Sequence, residues 1–581
     1  MRWGVDKFYY RNGIGYILRT MIISPTDLQP LIASGAIKED DLKKCELEAA
    51  QEGQDIGVFI VKKCGVTSDQ LGEVVAKAHN YKFKPLKGMV IDTAVLNIIP
   101  QIVAKSYKTV AFELDTTTKT LRVMTPDPEN AETLAVLQKK TNYIIEPYYC
   151  AQMALEELLA LYRSDLALTV KNLITELKAD PLKETNIISL VDAFMEYAYD
   201  NRASDIHIEP QKNRVIVRFR IDGMMHEVAS YEKDLHEKII SRLKIMSRLR
   251  TDEHGAPQDG RFLFESGTIT FDVRISIVPV TDGENAVMRL LTDRYDDFGL
   301  ESLGFSPENL GKVQRAIAKA YGMILAVGPT GSGKTTTLYA ILQQLNKPEV
   351  HIMTIEDPVE YDMDHVQQIQ ANPKKDLTFA NGLRSIVRQD PNVIMVGEIR
   401  DEETAGIAVS AAMTGHVLLS TLHANDAPTA FPRLMELHVE PFLVASALNL
   451  VVAVRLVRKI CIHCKTEYRL SPEEIELFDH EKKLLAHLLE YGKQTDIAQI
   501  PFYKGTGCAA CGTTGYKGRI GIMEVLEVTN ELRPLITQKS SADVIAAQAV
   551  KDGMVSLLGD GAMKVIRGET TLSEVIRTTS T

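Results

Sequence analysis

Nine consecutive residues carry the most specific chemistry in this chain: Gly328, Pro329, Thr330, Gly331, Ser332, Gly333, Lys334, Thr335 and Thr336. The stretch from Gly328 to Thr335 fits G-x-x-x-x-G-K-[ST]. A short apolar run, Met323-Ile-Leu-Ala-Val327, precedes it, and a helix-competent segment from Thr336 to Leu345 follows. Strand, glycine loop and helix N-terminus together are the setting in which this pattern binds a nucleotide. Glycines let the backbone wrap a phosphate chain, so that its N–H groups and the helix dipole face the anion. Lys334 would then reach the β- and γ-phosphates, and the Thr335 hydroxyl would sit on Mg²⁺.

Carboxylates and histidines follow at the ends of predicted strands. Val350 to Ile355 reads as a strand ending at Glu356-Asp-Pro-Val-Glu360, and Val393-Ile-Met-Val396 as another ending at Gly397-Glu398. Acidic groups at strand C-termini beside a phosphate loop are placed to hold Mg²⁺ or orient a water for attack. Helix caps and turns are the other use for such residues. A third strand, Val417-Leu-Leu-Ser-Thr-Leu422, is bracketed by His416 and His423, which suits them to sensing a γ-phosphate or to an interface.

Upstream, alternating segments carry arginines. Ala203-Ser-Asp-Ile-His-Ile-Glu-Pro210 alternates as a half-buried strand should. Arg214 to Gly223 alternates too and ends in Asp-Gly, a hairpin signal that puts Arg214, Arg218 and Arg220 on one face. Arg274 lies within Phe271–Ile277 and Arg289 within Val287–Leu291. Such a row is either a solvated sheet surface or a set of cations that neutralises a transferring phosphoryl group, an effect worth roughly 10³–10⁵ in rate.

The remaining chemistry is cysteine. Cys461-Ile-His-Cys464 and Cys508-Ala-Ala-Cys511 form two C-x-x-C pairs, which suit tetrahedral Zn²⁺. A redox pair would not explain two such motifs, so structural zinc is the reading taken, with His463 as a possible substitute ligand. A helix opened by Ser471-Pro-Glu-Glu474 lies between the pairs. Cys45, Cys64 and Cys150 stand alone as core or surface thiols.

These residues need several domains to position them, and 581 residues suffice for three or four. The expected divisions are an N-terminal extension (1–21), a regulatory or interaction module (22–162) and a linker (163–184). An α+β domain carrying the arginines (185–298) and the nucleotide domain (299–581), with its tetracysteine element at 458–515, complete the chain. Within the second, two helical units are expected, from Leu31 to Leu42 and from Ile60 to Leu71, with a strand at Thr120–Met124. Hydrophobic content of 45% and charged content of 25% are those of a globular protein. A net charge of -11 without a long basic run argues against nucleic acid as a partner. Residues 1–20 have no apolar signal-peptide core, and the longest apolar run, Phe442–Val454, is too short to span a bilayer and reads as a buried helix.

From about residue 185 onward, the chain resembles the secretion ATPase superfamily that drives type II secretion and type IV pili. The resemblance rests on Ala203-Ser-Asp-Ile-His207, Pro257-Gln-Asp-Gly-Arg261, the 328–335 loop, Glu356–Glu360, Gly397-Glu-Ile-Arg-Asp401, Thr414 through His423, and the paired cysteines. Pilus retraction motors of this superfamily lack the tetracysteine element and are shorter, so they fit poorly, and the long insert between the pairs looks more like the pilus assembly (extension, PilB-like) branch. Type II secretion is the alternative; a DNA-translocating RecA-like ATPase would need a basic track. The resemblance implies an α/β multidomain chain: a RecA-like P-loop ATPase core, a preceding α+β (PAS-like) domain, a zinc-binding insertion and a mainly helical N-terminal module. It implies ATP, Mg²⁺ and Zn²⁺, with Glu360 as general base, Glu398 in the Walker B position, and His416 and His423 as a histidine box. Arg220, Arg261, Arg274 and Arg289 become candidates for charge neutralisation. It also implies a cytoplasmic homo-hexamer without a transmembrane segment, peripheral at the inner membrane through a platform protein. Some relatives bind cyclic di-GMP through an Arg-Leu-Gly motif; here Asp55-Ile-Gly57 lacks the arginine, so tight binding is not expected.

Overall fold

A computed structural model describes residues 25–33, 37–39, 41–45, 56–63, 66–86, 89, 91–96, 98–99, 101–161, 173–175, 185–266, 269–291, 299–471, 473–475, 481–508 and 511–579. The expected extension 1–21, Gly35, Asp55, Cys64, Gly65, Pro472 and most of the 163–184 linker lie outside the described residues. Chain contacts separate two units, Met1–Asp165 and Leu166–Thr581.

The first unit packs short helices against the sheet β1 (Val110–Asp115), β2 (Thr120–Thr125) and β3 (Ile144–Tyr149), in the order β1-β2-β3. Its helix Ser68–His79 opens with a capping box. Gln70 N–H donates to Thr67 Oγ1 and Thr67 N–H donates to Gln70 Oε1, which satisfies two otherwise unpaired donors. Leu71 and Val75 lie one turn apart on its buried face. Cys45 and Cys150 are buried, and desolvation pushes the Cys150 thiol far up.

The second unit begins with a six-stranded antiparallel sheet: β4 (Ala203–Pro210), β5 (Arg214–Ile221), β6 (Met224–Glu232), β7 (Gln258–Ser266), β8 (Ile269–Val280) and β9 (Gly283–Leu291). The strand order is β6-β5-β4-β9-β8-β7. Ile206 and Ile208 of β4, Val273 and Ile275 of β8, and Met288 of β9 share a core with Phe194 and Leu190 of helix Thr185–Asp200 and Ile239 and Leu243 of helix His236–Met246. The alternation therefore leaves the opposite face to the charged residues. Asp222 and Gly223, at φ +49° and +84°, form the hairpin turn that Asp-Gly announces.

A seven-stranded sheet follows: β10 (Gly322–Val327), β11 (Ile352–Glu356), β12 (Val366–Gln370), β13 (Val393–Val396), β14 (Val417–Leu422), β15 (Leu448–Ile460) and, after the short pair β16 (Lys465–Tyr468) and β17 (Phe502–Gly505), β18 (Tyr516–Glu527). Its order is β12-β11-β13-β14-β10-β15-β18, parallel except for the last pair. Successive residues of β10 face opposite cores: Met323, Leu325 and Val327 pack on one side, Ile324 and Ala326 on the other. A parallel strand covered on both faces must be apolar or have its polar groups paired: β10 and β13 are apolar throughout, and in β14 the Ser420 and Thr421 hydroxyls donate to Val396 O and Gly397 O.

The Phe442–Val454 run departs from the expected buried helix. It is helical only to Ala447 and then becomes β15, the neighbour of β10. A short apolar run cannot by its periodicity be told from a strand buried on both faces, and Val451 to Val454 is β-branched enough to take the sheet position. No described helix is long and apolar enough to cross a membrane.

Candidate active site and metal centre

The loop after β10 folds as its glycines require. Gly328, Gly331 and Gly333 sit at φ +147°, +75° and +96°, and the helix Lys334–Leu345 starts directly behind them. A Cβ at Gly328 would stand 2.6 Å from Ser332 Oγ and 2.7 Å from Val454 O, so the loop has no room for a side chain there. Lys334 is buried and its Nζ donates to the carbonyls of Gly328 (2.8 Å) and Pro329 (3.0 Å). Desolvation pushes its ammonium below the ordinary lysine range, partly offset by the charge of Glu398.

A cleft of about 810 Å³ opens beside this loop. It is lined by Lys334 and Thr335 from the loop, Glu360 and Glu398 from the ends of β11 and β13, His423 from the end of β14, and Arg220 and Arg289 from the antiparallel sheet. The carboxylates differ in their surroundings. Glu356 is buried and receives Tyr339 O–H (2.5 Å), Thr354 O–H (2.6 Å) and Gln368 N–H (3.2 Å); burial pushes its carboxyl up despite those donors. Glu360 stands half-buried, with Oε2 4.0 Å from Arg274 Nη1, while Arg274 Nη2 donates to Val359 O at 3.1 Å. Glu398 lies 2.6 Å from Arg400 and 3.6 Å from His423 Nε2. Asp401, the residue after Arg400, is the helix cap in this segment, accepting Thr404 N–H at 2.8 Å.

The arginines form one line across the antiparallel sheet. Arg220 of β5 pairs across with Asp205 of β4, Asp205 with Arg289 of β9, Arg289 with Arg274 of β8, and Arg274 with Arg261 of β7. Like charges directly opposite one another repel, so this row needs an anion. Asp205 supplies one: it is buried, accepts Ser204 O–H at 2.8 Å, and lies 3.3 Å from Arg220 Nε and 3.1 Å from Arg289 Nε. Arg261 and Arg274 line an adjoining cavity of about 570 Å³ rather than both facing the phosphate loop. Arg214 and Arg218 pair instead with Glu227 and Glu209 on the sheet surface.

The histidines separate. His423 borders the cleft, but His416 sits at the opposite end of β14, where its Nδ1 lies 2.9 Å from Ala411 O at the end of helix Glu402–Met413. Asp205 and Arg400 are site residues to which pattern alone assigns no role. Asp205 was signalled only as one polar position in an alternating strand, and nothing local shows that both neighbouring strands set an arginine beside it. Replacing Asp205 with Asn is expected to lower ATP turnover about tenfold at unchanged far-UV dichroism, read by steady-state phosphate release, because Arg220 and Arg289 lose their shared anchor.

The cysteine pairs converge. β16 and β17 pair from Lys465–Gly505 to Tyr468–Phe502, which draws the segment after Cys464 alongside the segment before Cys508. The four sulfurs lie within 4.8 Å of one another, with Cys461–Cys508, Cys464–Cys511 and Cys508–Cys511 at 3.8, 3.9 and 3.7 Å. A tetrahedral site with Zn–S near 2.3 Å has sulfurs about 3.8 Å apart, so the donor set fits that metal. His463 is not in this cluster. Burial raises the Cys511 thiol, but N–H donors from Cys508 and Gly515 outweigh it and bring the group down to about 7. Ser471 and Glu474 exchange the two hydrogen bonds of a capping box at the start of the intervening helical segment.

Against known proteins, residues 181–577 match the family model described as Type II/IV secretion system protein. A Type IV pilus assembly ATPase PilB from Myxococcus xanthus is 36% identical over 568 residues, 95% of this chain and 98% of that one. A protein of the same name from Thermus thermophilus is 38% identical over 90% of this chain, which spans 58% of that relative's length. A Type II secretion system ATPase E from Vibrio cholerae is 44% identical over 68% of this chain and 75% of its own. A match across most of the chain, agreeing with a phosphate loop, acidic strand ends and paired cysteines arrived at independently, places this protein in the type II/IV secretion system protein family.

Proposed function

We propose that this chain is an ATP-hydrolysing motor of type IV pilus assembly. The observation that carries the reading is the cleft in which the phosphate loop, Glu360, Glu398, His423 and the arginine row meet. In this reading ATP lies along the loop, its phosphates held by backbone N–H groups and Lys334, with Thr336 in the first helical turn behind them. Mg²⁺ bound at Thr335 and Glu398 would neutralise charge on the phosphates. Glu360 takes a proton from the attacking water, and Arg274, 4.0 Å from its Oε2, holds the carboxylate in place. Arg289 and Arg220, released from Asp205, reach the charge that develops on the transferring group. Because these arginines stand on a different sheet from the loop, closing the site moves one sheet against the other, and this movement is the power stroke. His416 acts elsewhere, against the C-terminal carbonyls of helix Glu402–Met413 or at a subunit boundary.

The finer assignments follow the same reading: a ring of six in the cytoplasm, held at the inner membrane by a platform protein, with the antiparallel sheet and its two helices as a PAS-like domain. Division at 298/299 separates the sheet that carries arginines from the one that carries the loop. The pilus role is favoured by the Myxococcus relative, which matches nearly end to end. Type II secretion is the second reading, favoured by the higher identity of the Vibrio relative over a shorter span. Phosphate release by the purified hexamer tests the enzyme: ATP-dependent release unaffected by added DNA is expected, and no release overturns the reading.

The four cysteines hold one structural Zn²⁺, which fixes the 458–515 element. Elemental analysis is expected to give one zinc per chain in the wild type and close to none in Cys508→Ser; a metal-free wild type contradicts the assignment.

A further inference from the structure

Beyond the groups already given roles, one buried cation touches the phosphate loop. β15 outruns β10: Val327 pairs with Ala453, and Val454, Arg455 and Leu456 continue past it along the loop. A Cβ built on Gly328 would lie 3.3 Å from Arg455 Nη1, and one on Gly333 would lie 3.5 Å from Leu456. Arg455 is only 7% exposed. Its Nη2 donates to Asn425 O at 3.0 Å, while Nη1 has no hydrogen-bond partner. Ser332 Oγ, also buried and unpaired, faces the same point beside Gly328. A desolvated guanidinium with an idle donor is costly, and sheet packing alone would be better served by an apolar side chain.

Asn425 is two residues past His423, and this segment is fixed at three points. His423 faces Glu398 at 3.6 Å, Asn425 O meets Arg455, and Ala427 N–H donates to the buried Glu524 at 2.8 Å. Glu524 also accepts Leu557 N–H at 3.3 Å. The guanidinium thus lies between the first glycine of the loop and the segment that carries His423.

We propose that Arg455 is a positioning residue for ATP hydrolysis, holding the phosphate loop and the 423–427 segment in register so that the phosphate grip and His423 move together. This rests on the reading of 328–335 as the ATP site. Its spare donor, beside the spare hydroxyl of Ser332, is what engages the loop as it adjusts to phosphate.

The test uses the full-length protein with Arg455→Met, Arg455→Lys, His423→Ala and the double variant Arg455→Met/His423→Ala. KM for ATP and kcat come from phosphate release. Arg455→Met is expected to raise KM and lower kcat by about tenfold each, with partial recovery in Arg455→Lys, which keeps the charge but not the fork. The double variant is expected to lose no more than the worse single one, because both changes break the same linkage. Wild-type KM and kcat in Arg455→Met, or losses that multiply in the double variant, overturn the proposal. If Arg455→Met does not fold, a wild-type KM in Arg455→Lys overturns it equally. A wild-type chain that releases no phosphate overturns the parent reading, and this inference with it; a wild type that turns over while the Arg455 variants match it sinks the inference alone.

Discussion

Lys334→Ala is expected to abolish ATP turnover, lowering it on the order of 10³-fold, while the protein stays folded. The size of the effect follows from where the ammonium sits. It is buried and held against the Gly328 and Pro329 carbonyls at 2.8 and 3.0 Å, so it is already desolvated and aimed at the turn of the loop. A preorganised charge in a water-excluded site stabilises a developing anion far more than the same charge in water. Alanine removes that charge and leaves the Gly328 and Pro329 carbonyls without their donor. The cost in stability is smaller, about 1–3 kcal/mol for the lost buried hydrogen bonds, and is offset in part by no longer burying a cation. Steady-state phosphate release with a parallel thermal melt separates the two effects.

Glu360→Gln is the second large effect. The substitution keeps the shape and removes the base, so turnover is expected to fall about 10²–10⁴-fold while a fluorescent ATP analogue still binds with near wild-type affinity. The split distinguishes Glu360 from Lys334, whose loss should also weaken binding. It distinguishes it from Glu356 too, since that buried carboxylate already accepts from Tyr339, Thr354 and Gln368. Near-normal hydrolysis by Glu360→Gln would remove this residue from the base role.

Much of this site was legible in the sequence because its determinants are local. The phosphate loop, the acidic ends of β11 and β13 and the cysteine pairs each lie within a few residues of one another. The β4 and β5 segments show in their alternation, which one buried face imposes. What pattern could not show is register. The arginines at 220, 261, 274 and 289 could be found one strand at a time, but their alignment in a single row depends on which strands neighbour which. Asp205 becomes meaningful only within that row, and Arg455 only once β15 is known to extend past β10. The two histidines show what spacing along a strand implies. They bracket the six residues of β14, and a strand of that length sets its ends about 20 Å apart, so only His423 reaches the cleft.

ATP hydrolysis and pilus assembly are tested together by one measurement. In a strain deleted for this gene, surface pili are counted by electron microscopy after supplying either the wild-type chain or Glu360→Gln, while secreted enzymes are assayed in the culture supernatant. Pili are expected to return with the wild type and not with Glu360→Gln, and the supernatant to be the same in every strain. A deletion strain with normal pili and enzymes retained inside the cell would contradict the pilus reading, and would assign this motor to secretion instead.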